Sequence, residues 1–107
     1  MFEFHYKFNG HTRANAEYIN VNLEDEYILK SYSTRVAFLK MHDDGRWSLF
    51  IKGKYSKTTI KHIGWFMKLV SKETGYPVSY HDVKDAIGNS VVYISKTEGI
   101  TFSPCKE

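Results

Sequence analysis

Two strand-like runs, Val36 to Met41 and Arg46 to Lys52, are separated only by His42-Asp43-Asp44-Gly45, and that spacing constrains the fold more than any other feature. A connection of about three or four residues with Gly at a left-handed position closes an antiparallel hairpin. The period of two continues upstream. Phe2, Phe4, Tyr6 and Phe8 alternate with Glu3, His5 and Lys7 as far as Asn9-Gly10, the pattern of a half-buried strand. Tyr18 to Leu23 alternates more weakly, with Asn20 and Asn22 interleaved, and ends at Glu24-Asp25-Glu26; Tyr27 to Lys30 is short and ambiguous. Later in the chain, Ser90 to Ser95 and Ile100 to Phe102 read as a pair of strands around Lys96 to Gly99.

Helical signals fall between these β regions. The main helix starts after Tyr55, where the hydroxyl of Ser56 or Thr58 can accept from free N–H groups of the first turn. It runs to about Lys72; Gly75 follows and Pro77 forbids continuation. Ile60, Ile63, Phe66, Met67 and Val70 share one broad face, assigned to the sheet. A short second helix follows Ser79 as N-cap, with Asp82 in its first turn, Val83, Ala86 and Ile87 as its buried side, and Gly88 as its stop. This order predicts an α+β fold, an antiparallel sheet of roughly 5–6 strands with one main helix and one short helix on one face. No linker, repeat or low-complexity segment interrupts residues 1–107, so a single domain is expected.

Charge and cysteine usage narrow the function classes. A net charge of +3 permits contact with nucleic acid or an acidic protein surface and argues against a mimic of DNA, which would be strongly acidic. Cys105 is the only cysteine, so no internal disulfide and no CxxC pair can form, which fits a reducing cytosol. The N-terminal alternation lacks the apolar core of a signal peptide, and no apolar run approaches the ~20 residues that span a bilayer. A soluble protein of the host cytoplasm is the expectation.

Two stretches are more specific. Ser31-Tyr32-Ser33-Thr34-Arg35-Val36-Ala37 precedes the hairpin, and Tyr55-Ser56-Lys57-Thr58-Thr59-Ile60-Lys61-His62-Ile63-Gly64-Trp65-Phe66 opens the helix. Together they resemble a family of small proteins of bacteriophages and mobile elements in Gram-positive bacteria, whose hallmark is Tyr-Ser-x-Thr-Thr-x-x-His-aliphatic-x-x-Phe after a hairpin. The resemblance covers Ser31 to Val70 and brings no reaction, cofactor or catalytic residue with it. It implies a setting: a small accessory protein of a phage or prophage. Such proteins often bind and disable a host macromolecule, anti-CRISPR inhibitors among them.

The candidate binding surface lies on the main helix. Lys57, Lys61, Lys68 and Lys72 fall within a narrow arc, with Trp65 at its edge, turned away from the Ile60/Ile63/Met67 face. Ammonium groups beside an exposed indole can track phosphates while a base stacks, or can dock on an acidic protein with Trp65 as anchor. Lysines also line the solvated side of ordinary helices, and Trp65 can pack under the N-terminal strand or against Leu69. At the helix start, Ser56, Thr58 and Thr59 beside Lys57 could hold a phosphate or carboxylate, although capping explains the hydroxyls and packing explains Tyr55.

The other constellations are weaker. His5, His11, His42, His62 and His81 show no HxH or HExxH spacing, and zinc would need them to converge with Cys105 in the fold. Turn chemistry accounts for His42-Asp43-Asp44 without a metal, and the start and exposed side of the short helix account for Asp82 and Asp85. No nucleophile elbow, P-loop or dinucleotide fingerprint is present. A helix-turn-helix is disfavoured by the long link through Pro77 and by a second helix whose main base-reading side chain is Lys84. The expected function is a non-enzymatic phage or mobile-element accessory protein, without cofactor or metal, that inhibits or modulates a host macromolecule such as a Cas nuclease. The alternative is a nucleic-acid-binding accessory or regulatory protein using the same Lys/Trp face.

Overall fold

The computed structural model describes residues 2–53 and 56–105. Seven strands follow one another in space as in sequence: β1 (Glu3–Lys7), β2 (Ala16–Val21), β3 (Glu26–Ser31), β4 (Thr34–Met41), β5 (Trp47–Ile51), β6 (Ser90–Ser95) and β7 (Gly99–Pro104). Every neighbouring pair is antiparallel. Helices α1 (Lys57–Thr74) and α2 (Tyr80–Val83), then a 3-10 turn over Lys84–Ala86, connect β5 to β6. The α+β class is as expected, but the strand count is seven rather than 5–6. The difference is β3, whose core looked too short; it pairs fully with β2 and bends through an irregularity at Leu29/Lys30 in its pairing with β4.

Local chemistry sets the boundaries. At the central hairpin Gly45 sits at φ 86°, its N–H bonds the His42 carbonyl, and the His42 N–H bonds the Arg46 carbonyl. That is a type I turn completed by a left-handed Gly. Ser56 caps α1 by accepting from the Thr59 N–H at 3.4 Å, and Gly75 ends it at φ 73°. The helix runs to Thr74, slightly past the expected Lys72. At α2 the Ser79 N–H donates to the Asp82 carboxylate at 2.9 Å.

The main core lies between α1 and one sheet face, where Ile63, Phe66, Met67 and Val70 pack with Leu29, Leu39 and Leu49; Val83, Ala86 and Ile87 join the same cluster. Ile60 departs from the expected face. The buried arc takes in Thr59 and His62 instead, which leaves Ile60 half-buried at its rim. On the opposite sheet face Ile19, Val21 and Ile28 form a smaller cluster against Phe38. Charged side chains lie along that face: Arg35 donates twice to Glu3, at 2.7 and 2.8 Å, and His5 contacts Glu17 at 2.7 Å.

The N-terminal alternation also differs from expectation. β1 forms as a strand, yet Phe2, Phe4 and Tyr6 are exposed and only Phe8 is buried. β1 is an edge of the sheet, beyond the cover that α1 provides. Alternation dictates which side chains share a face; whether anything covers that face depends on the layer above.

Candidate functional site

Lys57, Lys61, Lys68 and Lys72 all emerge exposed from α1. Among the described residues none of them lies within ion-pair distance of a carboxylate; the ion pairs formed involve other side chains. An 18-residue helix with both ends capped carries the row, so the spacing of the charges is fixed by the backbone.

Trp65 does not stand free beside them. It lies on the border between the lysine arc and the buried arc, half-buried, and the His11 imidazole stacks on it with 3.8 Å between centroids and 14° between planes. Phe8 and His62 flank the indole at 6.0 and 5.0 Å, and the Lys61 ammonium lies 5.2 Å from its centroid. An exposed indole ready to receive a base is therefore corrected to one whose face is already occupied, the packing under the N-terminal segment that the sequence allowed. Lys61 over the ring is a cation–π contact, worth about 0.5–1 kcal/mol at an exposed site.

The loop between β1 and β2 adds residues that sequence reasoning did not place here. A concavity of about 600 Å³ is lined by His11, Arg13, Lys61 and Trp65. A second of about 300 Å³ is lined by Phe8, Tyr18, Trp65, Lys68 and Lys72. Only long-range folding joins His11 and Arg13 to α1; Asn9-Gly10 signalled a turn but not its destination. A series of ring contacts runs from Tyr32 to His62 at 5.9 Å, His62 to Trp65, Trp65 to Phe8, Phe8 to Tyr18 at 5.4 Å, and Tyr18 to Tyr6 at 5.3 Å, with Lys61 over the Trp65 ring.

The two specific stretches of the sequence meet below this surface. The Ser31 hydroxyl, at the end of β3, lies 3.0 Å from Thr59 Oγ1 and 2.8 Å from His62 Nδ1, and all three side chains are buried. Ser31 has one hydroxyl hydrogen for these two contacts, so it donates to no more than one partner and accepts from at least one. Burial first, then the nearby charges of Lys61 and His11, hold His62 below the ordinary imidazole range. A Ser–His contact can suggest a nucleophile and base, but Ser31 is 2% exposed and no substrate reaches it. The group ties β3 to α1. Thr59 is thereby committed internally; Ser56 and Thr58 are both exposed, but Ser56 serves as the helix cap, which leaves Thr58 as the candidate hydroxyl not engaged in such a bond among the described residues. Tyr55 lies outside the described residues.

The remaining candidates disperse. His5 contacts Glu17, His42 Nε2 lies 2.8 Å from the Ser48 hydroxyl, and His81 and Cys105 are exposed. Among the described residues no group of three or more His, Cys, Asp or Glu is arranged to hold a metal ion. Asp44 beside His42 is committed to the backbone and side chain of Arg46, which hold its carboxyl below the usual range. The larger concavity, about 780 Å³, lies at the opposite end, where Asp25, Asp44, Glu73 and Glu98 mix with Arg46 and Lys96. There Glu73 accepts the Tyr27 hydroxyl at 2.7 Å; burial first, and then that carboxylate, push the Tyr27 phenol well above its ordinary range. With its charges mixed and partly paired, this cleft offers no single-signed surface. A single-turn α2 cannot serve as a recognition helix, and no described helix is long and apolar enough to cross a membrane.

Residues 6–86 match the family of unknown function DUF8033. The chain belongs to that family. The DUF8033 span takes in the lysine row, the His11–Trp65 stack and the Ser31–Thr59–His62 group, and it ends before β6 and β7. Comparison with curated proteins gives no match, and neither does comparison with solved structures.

Proposed function

We propose that this chain is a non-enzymatic accessory protein of a phage or mobile element, acting in the host cytoplasm. It binds a host macromolecule and inhibits or modulates it, a Cas-type nuclease being one concrete candidate. The contact surface is the outer face of α1, with Lys57, Lys61, Lys68, Lys72 and the rim of Trp65, extended by Arg13.

The observation that carries this reading is a row of exposed lysines with no carboxylate partner among the described residues, on a rigid helix. Five acidic side chains lie in two turns away from this row, Glu24, Asp25 and Glu26 in one and Asp43 and Asp44 in the other. A row of like charges without local carboxylate partners favours an acidic partner at this face of α1. Occupation of the indole by His11 favours a partner met through lysine contacts over one held by base stacking.

Affinity capture from host lysate, run with and without nuclease, tests the proposal. A retained partner that survives nuclease supports a protein target. Retention abolished by nuclease supports the nucleic-acid reading, for which the basic concavity beside His11 and Arg13 is the favouring feature. That reading also requires affinity for DNA or RNA that falls steeply with salt, and no binding at about 50 mM salt removes it.

A further inference from the structure

The edge strand β1 carries a pattern that the lysine row leaves unexplained. Phe2 and Asn22 bond each other: the Asn22 N–H donates to the Phe2 carbonyl and the Phe2 N–H donates to Asn22 Oδ1, both at 2.7 Å. Along an antiparallel pair, successive residues turn their main-chain groups alternately toward the partner and away from it. Phe2, Phe4 and Tyr6 therefore address β2, and Glu3, His5 and Lys7 present N–H and C=O groups to the open edge. Phe4 and Tyr6 are 37% and 43% exposed at that edge.

We propose that β1 pairs antiparallel with β1 of a second copy of this chain, on a two-fold axis at His5. In this register His5 faces His5 once, on the axis, while Glu3 faces Lys7 and Phe4 faces Tyr6, each of these two contacts made twice by symmetry. The facing odd-numbered residues are those whose main-chain groups point outward, so three hydrogen-bonded pairs add about six main-chain hydrogen bonds. Opposite charges and aromatic rings directly across strands are the favourable pairings of a sheet. A lysine on an edge ordinarily deters pairing; here Lys7, which donates to the Ala14 carbonyl within its own copy, comes opposite Glu3 of the other copy, whose carboxylate already holds Arg35 and can share a further cation. The other edge, β7, carries no charged residue and ends in Pro104. Because the axis stands normal to the sheet, both α1 helices lie on the same side and both lysine rows face one direction. The pairing holds whatever that row binds, and it is measured on the isolated protein.

Sedimentation velocity across a micromolar concentration series tests it, together with two variants. Wild type sediments as a dimer. His5→Pro removes an outward N–H and leaves the main-chain bonds to β2 in place, losing the exposed His5–Glu17 contact, so it sediments as a monomer with an unchanged circular dichroism spectrum. Lys7→Glu sets like charges opposite each other twice across the axis and weakens the dimer roughly tenfold; because it also faces Glu17 of β2 in its own copy, its circular dichroism spectrum and thermal midpoint are required to match wild type. A wild type that stays monomeric throughout, or a dimer that both substitutions leave intact, overturns the proposal.

Discussion

Helix α1 has two sides that differ in what their residues are for. Toward the sheet, Thr59, His62, Ile63, Phe66, Met67 and Val70 are buried, and two of them are polar groups bonded to Ser31. Toward solvent, Lys57, Lys61, Lys68 and Lys72 touch no carboxylate among the described residues. The distinctive sequence, with its Thr-Thr and His at fixed spacing, belongs to the inner side. It is distinctive because a buried hydroxyl and imidazole must meet a particular serine, whereas any solvated helix can carry lysine. Specificity of motif thus marks folding here, and the surface open to a partner is written in ordinary residues.

Substitutions on the two sides separate these roles. Phe66→Ala, at a wholly buried position, should cost about 3–5 kcal/mol in denaturant unfolding, and a loss below about 1 kcal/mol would show that the inner side is loosely packed. Ser31→Ala leaves the buried Thr59 and His62 each short of a partner, for a loss of about 1–3 kcal/mol by the same measurement.

The pH dependence of stability sharpens the comparison. His62 titrates lower in the folded chain than in the unfolded one, so the unfolded chain takes up the proton first. Stability is fully present above the ordinary value of 6.5, falls as pH drops through it, and levels off below the depressed folded value. His62→Asn, less stable throughout, should lose that part of the slope; unfolding midpoints taken between pH 8 and pH 5 in both proteins check it. On the outer side, Lys68→Glu should move stability by no more than about 0.5 kcal/mol, read as a thermal midpoint.

Much of the fold was legible because turn and cap chemistry is local. Gly45 at its left-handed turn, Ser56 and Gly75 at the ends of α1, and Asp82 beside Ser79 each act on residues a few positions away. β3 was obscure because it is an interior strand with an irregular register, and its short apolar stretch carries no clear period. For β1 the strand itself could be read, but its exposure could not, since that depends on how far α1 reaches across the sheet. The lysine arc followed from helical spacing alone. Its neighbours His11 and Arg13 did not, because only the completed fold lays the β1–β2 loop against Trp65.

The central claim is that the outer side of α1 binds while the inner side folds. Lys61→Glu, Lys68→Glu and Lys72→Glu combined in one protein test it, with thermal melting and lysate capture performed on the same preparation beside wild type. The account predicts a melting transition close to that of wild type together with loss of the captured macromolecule. A variant that melts like wild type and still retains that macromolecule in full would contradict it.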